Sequence, residues 1–253
     1  MTTSLNGTVA VVTGASGGLG AHMARVLARS GATVAIGARR AGKLAETAQA
    51  IEAAGGRAFA VDLDVTDPAS VEAAFARIVA AVGVPTVLVN NAGIALAKPA
   101  LTMSDADFTR VIETNLIGQW RVAKAFAQRL VEAKRGGSIV NIASIAGERA
   151  VGALAAYSAS KAGLIMLSAN LAVEWARYGI RVNAISPGYI RTDLNSAFFD
   201  SPAGEAMIGR IPLGRLGREE DLDGTLLLLA SEGSANLTGA NIVIDGGHRH
   251  VGM

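Results

Sequence analysis

Length, composition and charge restrict the possible functions before any motif is considered. The chain has 253 residues, of which 51% are hydrophobic and 17% are charged, so we expect a sizeable core and no extensive disorder. The formal net charge of +2 is too small to indicate a nucleic acid or a membrane surface as partner. Because cysteine is absent, disulfides, thiolate nucleophiles and cysteine-ligated metals are excluded.

The ends of the chain and its hydropathy pattern predict a soluble, cytoplasmic protein. The first residues lack the basic segment of a signal peptide, and no apolar run approaches the roughly 18 residues that span a bilayer. Two of the three histidines, His248 and His250, lie in the final stretch GGHRHVGM. We expect that stretch to be solvated, and we predict no metal site.

Short segments rich in valine and isoleucine alternate with longer, alanine-rich amphipathic segments. The short ones are hydrophobic almost throughout, which is typical of strands buried on both faces of a parallel sheet. The predicted strands are Val9–Val12, Thr33–Gly37, Ala58–Leu63, Thr86–Asn90, Ser138–Ile142, Arg181–Ile185 and Asn241–Asp245. The predicted helices cover about 18–30, 41–54, 68–82, 104–135, 152–178 and 219–231. This alternation predicts an α/β fold of βαβ units, and without a linker-like stretch we expect one domain over residues 1–253.

The predicted helices near 104–135 and 152–178 are longer than one sheet face requires. Their spare apolar residues either pack against a second subunit or are buried on the sheet, and the sequence alone leaves both possibilities open. The examples on the second helix are Leu164, Ile165, Leu167, Leu171 and Trp175.

A glycine-rich segment joins the first predicted strand to the first helix. It reads TGASGGLG from Thr13, with glycines that allow a tight turn and a close approach of a pyrophosphate to the helix N-terminus. The context makes a dinucleotide the expected ligand.

The second strand ends in AIGARR, where an NAD site usually presents a carboxylate to the ribose. Here Ala38 is followed by Arg39 and Arg40, and arginine can grip a 2′-phosphate with paired hydrogen bonds. This favours NADP over NAD, although NAD stays possible. The alternative is that both arginines are part of a solvated loop.

Tyr157 and Lys161 interrupt an otherwise apolar and small-residue run, ALAAYSASKAGL. Four positions apart on a helix, their side chains would stand on one face. By themselves they are either a surface pair or a functional pair.

Taken together, these segments resemble the short, single-domain branch of the short-chain dehydrogenases/reductases, and in particular its 3-oxoacyl reductases. The matching pieces are TGASGGLG at 13–20, DVTD at 64–67, NNAG at 90–93, Asn115, Ser144, YSASK at 157–161, SPG at 186–188 and DGG at 245–247. The resemblance implies a Rossmann fold with a doubly wound sheet of seven parallel strands and helices on both faces. It also implies a homotetramer or homodimer built on the two long helices.

The resemblance further implies the roles of individual residues. The catalytic set would be Asn115, Ser144, Tyr157 and Lys161. The cofactor would be bound by Gly14, Ser16, Gly17, Gly18, Leu19, Gly20, Arg39, Arg40, Asp64, Val65, Asn90, Ala92, Gly93, Tyr157, Lys161, Pro187, Gly188, Ile190 and Thr192. One departure is Gly17, because NADP-dependent members often carry a basic residue at that position.

These residues point to hydride transfer between a nicotinamide and a ketone or secondary alcohol. The cofactor carries the hydride chemistry, and the protein has to supply or remove a proton. A tyrosine has a reference pKa of about 10. A positive charge about 4 Å away contributes roughly 4 kcal/mol, or about three pKa units. We therefore predict that Lys161, together with the oxidised nicotinamide, lowers the pKa of Tyr157 to about 7, while Ser144 binds the substrate oxygen. The family resemblance implies that Asn115 holds a water that connects Lys161 to solvent.

The substrate is less clearly indicated. The segment after the last cofactor contact, 192–212, should cover the site, and it predicts an apolar pocket for a neutral, hydrophobic substrate. The candidate lining residues are Ser144, Leu154, Tyr157, Leu96, Phe198, Phe199 and Met207. Phe198 and Phe199 would otherwise serve to pack this segment against the body of the protein.

Two other functions stay open. A 3-oxoacyl reductase acting on acyl-carrier-protein or coenzyme A thioesters would need a basic docking patch, for which Arg129, Lys134 and Arg135 are candidates. A catalytically silent sensor or scaffold would not need Tyr157.

Overall fold

Seven parallel strands form one sheet in the order β3-β2-β1-β4-β5-β6-β7. The computed structural model describes residues 4–191 and 196–251. The strands are β1 (Val9–Thr13), β2 (Thr33–Ala38), β3 (Arg57–Asp62), β4 (Val87–Asn90), β5 (Gly137–Ile142), β6 (Ile180–Pro187) and β7 (Asn241–Ile244). All seven coincide with predicted segments, because strands buried on both faces leave an unbroken apolar signature. The largest difference is at β6, which runs two residues further than predicted.

Helices cover both faces of the sheet, so the predicted doubly wound α/β fold is confirmed. They are α1 (Gly18–Arg29), α2 (Ala41–Ala53), α3 (Pro68–Val82), α4 (Asp105–Ile112), α5 (Gly118–Glu132), α6 (Ala155–Trp175), α7 (Ser196–Phe199), α8 (Pro202–Ile208) and α9 (Asp223–Ala230). The Asp67 carboxylate caps α3 by accepting a hydrogen bond from the Ala69 N–H at 2.9 Å, with Pro68 in the first turn. No helix within the described ranges is long and apolar enough to cross a membrane.

The predicted helix near 104–135 is helical from Asp105 to Glu132, but its middle differs from an α-helix. Residues Glu113–Ile117 form a π-helical segment between α4 and α5. Such segments occur frequently at functional sites, and this one contains Asn115. Likewise, α6 begins at Ala155 rather than near 152, because Ala153 has a φ of 59° that a helix cannot include.

The strand order reverses between β1 and β4. The chain moves outward from β1 to β3 on one side and from β4 to β7 on the other, which opens a crevice beyond the carboxyl ends of β1 and β4. The Thr13 hydroxyl joins the two strand ends, accepting hydrogen bonds from the N–H groups of Asn91 at 2.9 Å and Ala92 at 3.0 Å. This crevice is the place where an open α/β sheet binds its ligand.

The two long helical segments are buried only in part. On α6, Leu164 and Leu171 are packed inside the chain, so of the two possibilities that the sequence left open these two residues take burial within the subunit. Met166 and Val173 are exposed instead, at 64% and 81% of their full accessible surface. Between α5 and α6 lies an open groove lined by Lys124, Ala127, Gln128, Val131, Glu132, Trp175 and Tyr178.

Candidate active site

The ends of β5 and the start of α6 bring three of the four predicted catalytic residues together. Ser144 follows β5 and caps a short 3-10 turn, where its hydroxyl accepts a hydrogen bond from the Ala146 N–H at 3.1 Å. Tyr157 and Lys161 lie one turn apart on α6, as predicted, and the Lys161 ammonium is 5.7 Å from the centre of the Tyr157 ring. The arrangement places a hydroxyl, a phenol and an ammonium group at the carboxyl edge of the sheet.

Lys161 is buried, with 4% of its surface exposed. Its ammonium donates a 2.7 Å hydrogen bond to the main-chain carbonyl of Ile142 at the end of β5. Burial lowers the pKa of Lys161 to about 8, because a charged amine loses its hydration there. Near pH 8 the group is therefore partly neutral.

The predicted lowering of the Tyr157 pKa to about 7 does not occur in the protein alone. Burial raises the pKa of Tyr157 above its ordinary value, a hydrogen bond with Ser144 lowers it, and Tyr189 raises it further. Lys161 is not among the groups that shift the pKa of Tyr157, because its own pKa is depressed and it loses its charge before the phenol titrates. The chain by itself holds Tyr157 as a neutral phenol.

Asn115 is fully buried in the π-helical segment. Its side chain forms two hydrogen bonds with the main chain of Ile94, both at 2.8 Å, and donates a third to the Ser160 hydroxyl at 3.1 Å. Asn115 thereby joins the loop after β4 to α6. Nearby backbone and Ser160 thus satisfy the Asn115 amide, and the bonds do not include Lys161.

A buried polar network beneath the crevice contains residues that the sequence analysis missed. The Gln119 side-chain amide donates to the main-chain carbonyl of Ala92 at 2.8 Å. The Asn90 side-chain amide donates to the main-chain carbonyl of Gln119 at 2.7 Å. The Asn90 amide also donates to the Asn141 side chain at 3.2 Å. The sequence signal that could have indicated this network is an asparagine near the end of an otherwise apolar strand, namely Asn90 in VLVN and Asn141 in GSIVNI. Asn90 and Ala92, predicted to line the crevice, are placed there by this network.

The glycine segment forms an open cradle at the N-terminus of α1. Gly14 and Gly18 have φ values of 68° and 52°, and nothing lies within 4 Å of the position that a Cβ at Gly18 would occupy. Gly17 precedes α1, no side chain caps the helix there, and the first turn holds no acidic residue. The free N–H groups and the positive end of α1 fit a pyrophosphate. Leu19 and Gly20 belong to the same first turn.

Both arginines after β2 lie near this cradle, but in different surroundings. Arg40 donates to the Ser16 hydroxyl through Nε at 3.2 Å and Nη2 at 2.9 Å. A Cβ at Gly17 would be 3.7 Å from Nη2 of Arg40. The Arg40 guanidinium thus lies beside Gly17, the position where the family's basic residue is missing.

Arg39 faces the loop after β3 instead, with Nη1 3.6 Å from the Asp64 carboxylate. Burial tends to raise the pKa of Asp64, but hydrogen bonds from Thr66 and the charge of Arg39 lower it. The sequence does not indicate that the Asp64 carboxylate lies next to the end of β2, because Asp64 follows the adjacent strand β3. Val65, next to Asp64, is buried.

The remaining predicted cofactor residues lie along the same edge. Pro187 ends β6, Gly188 follows it, and Ile190 is buried. Gly188 packs closely on the chain after β7, because a Cβ there would be 2.7 Å from Cα of Asp245. A Cβ at Gly93 would be 3.2 Å from Oδ1 of Asn115. Thr192 lies outside the described residues.

The predicted substrate residues do not share one environment. Phe199 is almost completely buried, with its ring 5.8 Å from the Tyr189 ring, so it packs this segment onto the body of the protein. Phe198 lies beside Phe199 and is 44% exposed. The other candidates, Leu96, Leu154 and Met207, are half-buried.

The C-terminal stretch, as far as Val251, folds back onto the protein, contrary to the expectation of a solvated end. His248 is 95% buried against Tyr189, with 5.4 Å between the ring centres, while His250 is exposed. The stretch turns back because Asp245 accepts hydrogen bonds from the N–H groups of Gly247 at 2.9 Å and Arg249 at 2.7 Å. Neither Tyr189 nor His248 was among the predicted site residues.

Comparison with known proteins agrees with this geometry. The family model described as enoyl-(acyl carrier protein) reductase matches residues 14–249. The chain belongs to the short-chain dehydrogenase/reductase family. The resemblance inferred from the sequence is thus confirmed, and the protein is an oxidoreductase that transfers hydride between NAD(P) and a carbonyl or alcohol.

Relatives within the short-chain dehydrogenase/reductase family have varied substrates. The chain is 42% identical to an L-rhamnose 1-dehydrogenase (NAD(P)(+)) of Azotobacter vinelandii, with 94% of each chain covered. It is 38% identical to the 3-oxoacyl-(acyl-carrier-protein) reductase of Escherichia coli, over 96% of this chain and 98% of the relative. A gluconate 5-dehydrogenase from Burkholderia cenocepacia, solved with NADP and tartrate, superposes with a TM-score of 0.94 at 35% identity, covering 99% and 98% of the two chains.

Proposed function

We propose that this protein is an NADP(H)-preferring carbonyl reductase or alcohol dehydrogenase that acts as one domain on a ketone or secondary alcohol with an apolar body. The observation that carries the proposal is the grouping of Ser144, Tyr157 and Lys161 at the edge of the sheet where the glycine cradle opens.

Each of the three groups has a distinct task. Tyr157, a neutral phenol, donates its proton to the carbonyl oxygen as the ketone is reduced and takes it back when an alcohol is oxidised. The Ser144 hydroxyl binds the same oxygen and fixes it next to the phenol. Lys161 lies one turn further along α6 and would hold the ribose of the cofactor next to Tyr157. When bound, the nicotinamide supplies or accepts the hydride.

Asn115 has a positioning role in this scheme. Its bonds to Ile94 fix the loop that lines the crevice, and its bond to Ser160 ties that loop to the helix of Tyr157.

The remaining predicted residues would surround the cofactor. The glycine cradle and Ser16 would hold the pyrophosphate, and Asp64 and Val65 would flank the adenine. The crevice would be lined by Asn90, Ala92, Gly93, Pro187, Gly188 and Ile190.

The preference for NADP(H) rests on Arg40. Within the described part of the chain, no carboxylate lies within 4.0 Å of its guanidinium, which Ser16 holds beside Gly17. Arg39, in contrast, is already partly neutralised by Asp64. A 2′-phosphate would therefore gain most from Arg40. The NADP bound to the related gluconate 5-dehydrogenase supports this choice.

The test of the cofactor is a fluorescence titration with NADPH and NADH. We expect tighter binding of NADPH. Arg40→Gln should weaken it by about tenfold or more while leaving NADH unchanged, and Arg39→Gln should have a smaller effect. Equal affinities in the unmodified protein would contradict the preference and leave the reaction class unaffected.

The test of the reaction is the reduction of a panel of ketones with NADPH. Tyr157→Phe should abolish turnover and keep cofactor binding, whereas a silent sensor or scaffold would show no turnover to lose. A 3-oxoacyl thioester belongs in the panel because of the reductase relative. Arg129, however, is paired with Glu72 at 2.7 Å, so it is not a free cation for docking an acidic carrier protein.

We also propose that two copies associate through the groove between α5 and α6, giving a homodimer or homotetramer. Trp175 and Tyr178 line this groove, and Met166 and Val173 are exposed on the same helix. Light scattering coupled to size exclusion should give a dimer or tetramer, and Val131→Glu, which places a charge inside the groove, should shift it towards the monomer.

A further inference from the structure

The C-terminal turn is fastened to the loop that carries the catalytic serine. Arg149 follows Ser144 by five residues and donates a 2.6 Å hydrogen bond from Nη1 to the main-chain carbonyl of His248. The neighbouring Glu148 binds Arg249 and the Asn241 amide. These bonds hold Arg149 and His248 together and tie the C-terminal turn to the loop that follows Ser144.

His248 has an unused hydrogen-bonding atom. Its Nδ1 is buried and has no partner among the described residues. A buried polar atom left without a partner is costly, so most such atoms have one or serve a ligand. Burial lowers the pKa of His248, the charges of Arg149 and Arg210 lower it further, and Asp245 alone raises it. The imidazole is therefore neutral at pH 7 in a positively charged setting.

Arg149 is also only partly engaged. A guanidinium has five N–H donors, and the bond to the His248 carbonyl uses one nitrogen. Glu148 is occupied by Arg249, and Arg149 has no carboxylate within 4.0 Å anywhere in 4–191 or 196–251. The charge is half-buried and uncompensated.

Tyr189 connects this pair to the reacting groups. Its ring packs against His248 at 5.4 Å and Phe199 at 5.8 Å between ring centres. The charge of Arg149 lowers the pKa of Tyr189, although burial raises it overall, and Tyr189 in turn raises the pKa of Tyr157. Ser144, Tyr189 and His248 follow the carboxyl ends of the neighbouring strands β5, β6 and β7, so they lie at the same edge of the sheet.

We propose that Arg149 and His248 bind a carboxylate of the substrate, so that the enzyme acts on keto acids or hydroxy acids with an apolar body between the reacting carbon and the acid. The guanidinium donates to the carboxylate, and Nδ1 of His248, in the tautomer that carries the proton there, donates a further bond. One cation and one neutral imidazole match the single charge of a carboxylate better than a phosphate dianion. The inference rests on the proposed function and replaces a neutral substrate with an anionic one.

The direct test uses the small number of histidines. With ring-labelled histidine, NMR spectra of the protein with NADPH contain signals from His22, His248 and His250 only, assigned with His248→Gln and His250→Gln. Cyclohexanecarboxylate should shift the His248 signal and leave that of His250 in place, and cyclohexanecarboxamide should shift neither. Arg149→Gln should remove the effect, while Arg249→Gln, a neighbouring arginine paired with Glu148, should retain it.

A shift of His248 with the carboxamide as large as with the carboxylate, or none with either, would overturn the inference. This readout does not depend on turnover, so it separates the anion site from the proposed reaction.

A kinetic test compares 4-oxocyclohexanecarboxylate with its carboxamide as substrates for NADPH-dependent reduction. Arg149→Gln should raise KM for the acid by about tenfold or more, with little change in kcat and none in either constant for the amide. Arg149→Lys should recover part of the loss. Equal losses for acid and amide would mean that Arg149 only supports the loop, and would refute the substrate assignment. If neither compound is reduced, the proposed activity on such ketones fails, and the NMR titration still decides the anion site.

Discussion

The buried ammonium of Lys161 and the main-chain carbonyl of Ile142 are joined by a hydrogen bond of 2.7 Å. This bond ties α6 to the end of β5 and holds a charge where almost no solvent reaches it. One consequence is that Lys161, which is proposed to serve the reaction, also lowers the stability of the folded state, because its charged amine loses its hydration on folding.

Replacing Lys161 should therefore change how stability depends on pH. Burial depresses the pKa of Lys161 from 10.5 to about 8 in the folded protein. Below pH 8 the amine is charged in both states, and the folded state carries the full free-energy cost of burying that charge. Because the unfolded chain binds the proton more tightly, this cost disappears as pH rises from about 8 to 10.5. Relative to Lys161→Met, the unmodified protein should gain about 3 kcal/mol of unfolding free energy over that range.

Urea denaturation at pH 7.5 and 10.5 measures the gain, with Lys43→Met as the matched control. Lys43 is exposed on α2 and pairs only with the exposed Glu46, so its replacement should leave the pH dependence as it is. A constant difference between the Lys161→Met and unmodified proteins at both pH values would contradict the expected penalty.

The two directions of the reaction should respond differently to pH. In the proposed mechanism, reduction needs the protonated phenol of Tyr157, and oxidation needs the phenolate. Because burial raises the pKa of Tyr157, the phenol stays protonated from pH 6 to 8. Initial rates should show kcat/KM for reduction constant over this range, and kcat/KM for oxidation rising about tenfold per pH unit. A plateau in the oxidation profile below pH 7 would show that bound oxidised nicotinamide lowers the phenol's pKa more than the protein raises it.

The fold was predictable because its signals are local. Each strand buried on both faces, such as β1 or β5, is an unbroken run of apolar residues, and Asp67 with Pro68 marks a helix start by its own chemistry. The interruption at Glu113–Ile117 was not predictable, because a π-helical segment keeps the composition of a helix and is fixed by contacts from Asn115 to a distant loop.

The candidate site was predictable where a family motif marks the residues, as at Tyr157 and Lys161. Their electrostatics were not, since the pKa of Tyr157 depends on burial, and Lys161 loses its charge before the phenol titrates. Asp64 as the partner of Arg39, and His248 as the neighbour of Tyr189, depend on elements far apart in the chain. No spacing of residues in the sequence predicts such pairs.

Alanine at Gly20 should destabilise the protein, while alanine at Gly42 should stabilise it. A Cβ at Gly20 would lie 2.4 Å from the Gly14 carbonyl oxygen and 2.6 Å from Nδ2 of Asn91. Relieving this overlap has to move the backbone of the cradle, at a cost of about 1–3 kcal/mol, and should weaken NADPH binding. Gly42 lies in α2 with nothing within 4 Å of its added Cβ, so alanine there should add about 0.5–1 kcal/mol. Thermal unfolding and NADPH titration of both variants check this, and a stable Gly20→Ala protein that binds NADPH normally would contradict the close packing of the cradle.

Removing the Asn115 side chain should lower both stability and cofactor affinity. Alanine leaves the N–H and carbonyl of Ile94 without their partners in a buried place, and each such loss costs about 1–3 kcal/mol. The loop that contains Gly93 and Ile94 would then no longer be held against the crevice, so NADPH should bind more weakly even where the protein remains folded. Asn170→Ala is the control, because Asn170 is an exposed helix asparagine whose amide donates only to the Met166 carbonyl one turn back. Its effect should stay within about 0.5 kcal/mol. Urea denaturation and NADPH titration of the two variants give the comparison, and similar small effects for both would mean that the π-helical segment holds its shape without Asn115.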